Sequence, residues 1–334
     1  MRISRKDIAK IAGVSEQTVS YILNNSRKFS DEVTQRVLSV VEQYGYKPDM
    51  IAKSMTKKKT YTVAILVNDV SNPIFGEIFH GFQESASQAG YAVYFADAMN
   101  GFRNQVADLI SRRIDGVYIS LINSDVVSNV IDKFTKNGIK VVTGNKFDNF
   151  KLGYGCVEID MAQGMRKLIA YLKSVGHTDI AYLSGLREDT VDLRYKVFKD
   201  EYRNLMGKEG TVIDNEYPYD TSVQTGMQLT AKLIESGCKA TAIITTNDLM
   251  AYGALSELQK SGIRVPEDVS VVGFDDILYS NFVSPALTTV TYDKNAYGRK
   301  VFDILSHSIE NNVIGTFEKY ETEIVIRKSV ASPK

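Results

Sequence analysis

From Tyr61 onward, short β-rich runs alternate with helical patterns: Thr62–Val67, Ala92–Phe95, Gly116–Ser120, Lys140–Thr143, Ile180–Leu183, Ala242–Thr245 and Ser270–Phe274. Strand, helix, strand at this spacing means a parallel sheet with helices on both faces, because a parallel connection needs a crossover long enough to hold a helix. A body of about 270 residues is large for one such sheet. The stretch Asp160–His177 reads as a fresh start, so two similar α/β lobes are predicted. Their expected bounds are residues 61–158 with 291–320, and residues 159–290 with 321–330.

The first 45 residues follow a different pattern. Ser4 can cap a first helix, with Asp7 as capping-box partner and Ile8 and Ile11 as its apolar stripe. Gly13 supplies a left-handed turn, and Ser15 caps a second helix that buries Val19, Ile22 and Leu23. Ser30 opens a third helix, striped by Val33, Val37, Val40, Val41 and Tyr44 and closed by Gly45. The small Ala9, the turn at Gly13 and the packing Val19 together spell a helix-turn-helix. The charge agrees. Residues 1–60 hold 12 Lys/Arg against 6 Asp/Glu, while the remaining 274 hold 28 against 34. A basic head on an acidic body is the mark of a nucleic-acid-binding module joined to something else.

On the exposed face of the second helix, Gln17 can bond adenine, Glu16 can accept from cytosine, and Tyr21 can bond or stack in the groove. Thr18, Ser20, Asn24 and Asn25 are short donors suited to phosphate oxygens, and the capping Ser15 stands with them. Singly each is an ordinary solvated residue; the set gains meaning from the apolar face opposite. Residues 1–48 are thus the expected head. Residues 49–60 are a hinge and linker, since KSMTKKKT (Lys53–Thr60) carries four lysines and no apolar stripe.

The run DIAKIAGVSEQTVSYILNNSRKFSDEVTQRVLSVVEQYGYKPDMIAKSM resembles the DNA-binding head and hinge of the lactose/galactose repressor family. LVNDVSNPIF, RRIDGVYIS, YLKSVGHTDIAYLSG, TNDLMAYGALSELQKSGIRVPEDVSVVGFDD and SPALTTV resemble family blocks in the right order. The resemblance implies a transcription regulator with a body shaped like a periplasmic sugar-binding protein, and base contacts from Glu16, Gln17 and Tyr21. It implies a hinge helix that forms on the operator, with Met55 in the place of a minor-groove leucine wedge and Ala52 beside the partner helix. Lys53, Lys57, Lys58 and Lys59 would meet phosphates. Family tetramers carry a leucine-rich C-terminal helix; the ending RKSVASPK lacks a heptad, so a homodimer is expected.

The effector site is expected between the lobes, at the carboxyl ends of the strands. Asn68, Asp69, Ile74 and Phe75 in NDVSNPIF, Asp97 after the second strand, Asn145 and Tyr219 are its candidates. By resemblance, Arg194 is the guanidinium that holds ligand hydroxyls or a carboxylate, with Asn247 and Asp275 completing a polar ring. Such a set suits a sugar or sugar phosphate: Asp, Asn and Arg match paired hydroxyls, while an aromatic ring takes the apolar sugar face. Phe75, Phe147, Tyr219 and Phe282 are the candidate rings, with core packing the competing role of Phe147 and Phe282. Ile74 and Lys146 stand where purine-binding relatives use aromatics.

No phosphate-binding glycine motif lies between a strand and a helix. His80, His177 and His307 have no metal-ligand spacing; His177 reads as structural. No GxSxG elbow is present, and the Asp275–Asp276 pair adjoins no nucleophile. Neither an enzyme nor a cofactor nor a metal is expected. Two cysteines, Cys156 and Cys238, cannot make a disulfide framework, and no apolar run approaches the ~20 residues that span a bilayer. A cytoplasmic protein is predicted. The function expected is a repressor of carbohydrate use released by a small sugar. The alternatives are a corepressor-dependent regulator of the same family, or a solute-binding protein without a DNA role.

Overall fold

Three serines set the helices of the first unit. In this computed structural model, which describes residues 3–24, 26–47, 59–98, 102–120, 124–147, 153–186, 193–215, 220–313 and 315–334, the chain divides into Met1–Thr60 and Tyr61–Lys334. In the first unit, Ser4 Oγ accepts from Asp7 N while the Asp7 carboxylate accepts from Ser4 N at 2.9 Å, a complete capping box for α1 (Arg5–Ala12). The bonds from the Ser4 hydroxyl and N–H hold the Asp7 carboxyl below its ordinary range. Ser15 caps α2 (Glu16–Leu23) through Thr18 N, and Ser30 caps α3 (Asp31–Gln43) through Val33 N. Each such cap contributes ~1 kcal/mol.

Gly13, at φ +63°, turns the chain between α1 and α2. The three helices close over Ile8, Ala9, Ala12, Val19, Val37 and Val40. Three residues of the expected stripes fall outside this core: Ile11 and Tyr44 are each 47 % exposed, and Val33 is half-buried apart from it. The buried face of α1 runs Ile8, Ala9, Ala12, and a 100° step per residue puts Ile11 off it. Tyr44 is the C-cap of α3, past its last turn.

The second unit holds two six-stranded sheets. The first contains β1 (Thr62–Val67), β2 (Ala92–Asp97), β3 (Gly116–Ser120), β4 (Lys140–Thr143) and β5 (Gly155–Ile159), with β11 (Phe317–Tyr320) on its edge. Its order is β11-β5-β4-β3-β1-β2 and every pairing is parallel. The second contains β6 (Ile180–Ser184), β7 (Thr211–Asp214), β8 (Ala242–Thr245), β9 (Ser270–Phe274), β10 (Thr288–Thr291) and β12 (Glu323–Val325), in the order β12-β10-β9-β8-β6-β7. Only its β10–β12 pair is antiparallel.

Both faces of each sheet are covered, and the strands show it. Along β1, Val63, Ile65 and Val67 enter one core while Ala64 and Leu66 enter another. Along β6, Ile180 and Tyr182 face one way, Ala181 and Leu183 the other. The helices are α4 (Pro73–Gln88), α5 (Phe102–Ser111), α6 (Ser124–Lys136) and α11 (Lys294–Asn311) on the first lobe. The second lobe carries α7 (Met161–Val175), α8 (Arg194–Met206), α9 (Val223–Glu235) and α10 (Asp248–Lys260).

The chain passes between the lobes three times: at Asp160, at Tyr292–Asp293 and at Glu321–Thr322. Two of these crossings are laced together, since Asp160 N donates to the Tyr320 carbonyl and Thr322 Oγ1 to the Asp160 carbonyl. Strands β5, β7, β10, β11 and β12 were not among the runs expected from sequence. They are three to five residues long, and FEKY (β11) and EIV (β12) carry charge, so their pairing partners rather than their patterning make them strands.

Candidate effector cleft and DNA-reading head

In the head, the residues expected to read bases share the exposed side of α2. Gln17 Nε2 donates to the Tyr21 hydroxyl at 2.8 Å, and the Tyr21 ring stacks on Phe29 with centroids 6.4 Å apart. The Arg27 guanidinium lies over the Phe29 ring, 5.8 Å from its centroid. Glu16 pairs loosely with Arg5 at 3.8 Å. The short polar residues bond locally: Ser15 Oγ with Thr18 Oγ1 at 2.9 Å, and Asn24 Nδ2 to the Ser20 carbonyl at 2.8 Å. Val19, opposite them, is fully buried. Asn25 and the hinge residues Ala52, Lys53, Met55, Lys57 and Lys58 lie outside the described residues, as does Tyr219 of the body.

In the body, polar groups from both lobes converge on a cleft of about 710 Å³, counting its open mouth. It lies at strand carboxyl ends, where open α/β sheets part at their switch points. The first lobe contributes Asn68 after β1, Ser120 at the end of β3, Asn145 after β4, and Ile74 and Phe75 from the first turn of α4. Asn72 fixes that turn, its Oδ1 accepting from Ile74 N at 3.2 Å. The second lobe contributes Arg194 at the start of α8, Thr246 and Asn247 after β8, and Asp275 after β9.

Arg194 is 7 % exposed; it donates to the Thr246 carbonyl and lies over the Phe274 ring at 5.4 Å. Asn247 caps α10 through Met250 N at 3.0 Å. Asp275 and Asp276 both have positive φ, +106° and +50°, a conformation non-glycine residues rarely adopt and one concentrated at functional sites. The strained turn splits the pair: Asp275 lines the cleft, while Asp276 bonds Arg327 at 2.6 Å. Behind them Asp248, fully buried, accepts from Ser280 Oγ, Thr289 Oγ1 at 2.6 Å and Ile277 N. Burial, and then the charge of Asp275, push its carboxyl up to about 8 despite those donors.

Of the candidates named from sequence, the cleft brings together Asn68, Ile74, Phe75, Asn145, Arg194, Asn247 and Asp275. Asp69 and Asp97 are not in its lining; Asp69 spends a carboxylate oxygen on Ser71 N at 2.8 Å, closing the loop after β1. Phe147 belongs to the core beneath the first sheet, and Phe282, 73 % exposed, lines no part of the cleft. Sequence reasoning missed Ser120 and Thr246, which the strand-end rule that selected Asn68 would have found. It also missed Tyr118, Tyr292 and Tyr297, buried rings that read as core. The Tyr118 and Tyr297 hydroxyls bond each other at 2.9 Å, and Tyr297 donates to the Val157 carbonyl.

His177 is structural. Its Nδ1 meets Thr241 Oγ1 and its Nε2 the Ala331 carbonyl, both at 2.9 Å, and burial lowers its pKa against the opposing pull of that carbonyl. Among the described residues no cluster of His, Cys, Asp or Glu could hold a metal ion, and no helix is long and apolar enough to cross a membrane.

Residues 5–49 match the family described as bacterial regulatory proteins, lacI family, and residues 169–330 match the periplasmic binding protein-like domain. An HTH-type transcriptional repressor PurR from Pasteurella multocida (strain Pm70) is 30 % identical over 338 residues, which cover 98 % of each chain. The chain belongs to the lacI family. It is therefore a DNA-binding transcription regulator with an effector-binding body, and not an enzyme. Solved structures share the fold across both units. The lac repressor dimer bound to operator and the anti-inducer ONPF superposes with a TM-score of 0.84 at 23 % identity, covering 99 % of this chain and 100 % of that one. The transcriptional regulator CelR in complex with cellobiose gives 0.68 at 25 % identity, covering 98 % and 100 %.

Proposed function

We propose that this lacI-family regulator is a homodimeric repressor that holds a two-fold operator and releases it when a small carbohydrate binds between the lobes of the body. The observation that carries this is the make-up of the cleft. A buried guanidinium, one carboxylate and four asparagines surround a half-buried aromatic ring, Phe75. Vicinal hydroxyls satisfy the polar set, and the apolar face of a sugar satisfies the ring. Ligand can shift the balance only by binding one lobe arrangement better than another, and a molecule touching Asn68 and Phe75 on one wall and Arg194 and Asp275 on the other does so.

The proposed division is a head over residues 1–48, a hinge over 49–60 with Met55 as minor-groove wedge, and a body over 61–334 acting in the cytoplasm. The body has surfaces suited to a second copy. Leu278, Tyr279 and Phe282 are 63, 57 and 73 % exposed on the second lobe, and the edge strand β2 of the first exposes Tyr94 and Phe95. A two-fold dimer matches two half-sites of an operator.

The test is operator titration by fluorescence anisotropy. Gln17→Ala should cost ~1–3 kcal/mol and relax preference at one position per half-site. Arg194→Ala should leave operator binding intact and abolish its response to sugar. Equal binding of every DNA sequence by the parent would refute the repressor reading; a normal sugar response in Arg194→Ala would refute the site.

A further inference from the structure

Tyr292 is the first residue after β10, on the crossing that carries the chain from the second lobe into the first. Its ring is fixed: Tyr297 and Tyr320 meet it edge-on at 5.7 and 6.3 Å, and the Lys294 ammonium sits 5.6 Å from its centroid. The residue is 5 % exposed and lines the cleft. Its buried hydroxyl nevertheless has no hydrogen-bond partner among the described residues, unlike the hydroxyls of the neighbouring Tyr118 and Tyr297. A buried polar group left unmatched is costly, and phenols buried at recognition surfaces ordinarily find a partner.

The surroundings say what that partner is. Burial holds the phenol well above its ordinary range and the nearby Asp275 carboxylate adds to this, so Tyr292 stays neutral and can donate. That same carboxylate opposes an anionic ligand group. Among the described residues the lining offers a single cation, Arg194, against the single carboxylate of Asp275, with asparagine, serine and threonine around them. A phosphate or carboxylate ligand would meet no second cation among the described lining residues. An uncharged ligand with several hydroxyls can accept from the phenol while it donates to Asp275 and the asparagine carbonyls.

We propose that Tyr292 is a specificity-determining residue of the cleft, its phenol donating a hydrogen bond to one hydroxyl oxygen of a neutral polyhydroxy ligand. The proposal rests on the effector reading above and deepens it. Because the ring belongs to a lobe crossing, the bond reads the ligand at the segment about which the lobes turn.

The experiment is titration calorimetry of the full chain with D-glucose, D-ribose, cellobiose, glucose 6-phosphate and hypoxanthine, followed by Tyr292→Phe and by monodeoxy forms of whichever sugar binds. A neutral sugar should bind the parent, and Tyr292→Phe should weaken it about tenfold with operator affinity unchanged. One monodeoxy sugar should weaken binding to the parent by a similar factor and show no further loss with Tyr292→Phe, because a site built to bond a hydroxyl discriminates against the analogue that lacks it. The deoxy series on the parent keeps the test independent of how the variant folds. Undiminished sugar affinity in Tyr292→Phe overturns the proposal, as does binding of glucose 6-phosphate or hypoxanthine in preference to every neutral sugar, or binding of none of the five. A loss in Arg194→Ala without one in Tyr292→Phe leaves the effector reading standing and removes only this residue from it.

Discussion

The two lobes close a pair of helices through facing glycines, yet they turn unlike walls to the cleft. In the first lobe α4 meets α11: a Cβ on Gly81 would lie 2.0 Å from the Asn295 carbonyl oxygen, and one on Gly298 2.1 Å from that of Ile78. In the second, α9 meets α10, with Gly226 facing the Met250 carbonyl and Gly253 that of Val223, each at 2.1 Å. The scaffold solution is shared. The walls differ: the first lobe offers amides, a serine and the Phe75 ring, while the second brings the guanidinium and the carboxylate. Backbone packing is thus conserved between the halves of the molecule where side chains at strand ends are not, which is how one architecture can accept different ligands.

The packing half of this comparison breaks first, and hardest, at the glycines. Gly298→Ala and Gly253→Ala each drive a methyl into backbone that cannot move like a side chain tip, so each should cost about 3 kcal/mol or more in urea unfolding. Parity between them supports the shared plan. A loss under 1 kcal/mol in either would show that its helix pair can open without penalty.

That symmetry was not legible in the sequence. The helices α9 and α10 are neighbours in the chain, but Gly81 and Gly298 are brought together only by the return of α11 to the first lobe. The head was far more legible, because its caps at Ser4, Ser15 and Ser30 and its turn at Gly13 depend on residues three or four apart. The cleft lies between these extremes. Asn68, Asn247 and Asp275 follow strands that the sequence marks plainly, whereas Tyr292 follows β10, four residues that pairing alone makes a strand. Asp69 and Asp97 show the converse: standing near a strand end does not decide whether a carboxylate turns inward or, as with Asp69, closes its own loop.

The charged wall should also leave a mark on stability. Asp248 carries the strained Asp275 turn from behind, and its carboxyl, raised to about 8, holds a proton in the folded chain that it sheds near 4 when unfolded. Between those values the folded state binds more protons, so this group's contribution declines as pH rises, by up to ~1.4 kcal/mol per pH unit. Urea unfolding of the parent and Asp248→Asn from pH 5 to 7.5 checks the sign. The variant should gain on the parent as pH rises; a constant difference would mean that Asp248 is ionised throughout and that its three donors outweigh its burial.

The gentlest test falls on the first wall. Phe75 is half-buried, its ring packed against the core of the first lobe and open to the cleft. Phe75→Leu keeps that packing apolar and removes the flat face. The expected loss is ~1 kcal/mol in sugar affinity, the scale of an aromatic contact beyond simple burial, with melting temperature and operator affinity nearly unchanged. Arg194→Ala should cost several times more, because it takes the one guanidinium among the described lining residues from a ligand whose oxygens are then desolvated. The ratio of the two losses, read by calorimetry on one sugar, measures how unequal the walls are. Equal losses would mean that stacking and charge share the ligand evenly, and the division between an uncharged, aromatic first wall and a charged second one would no longer hold.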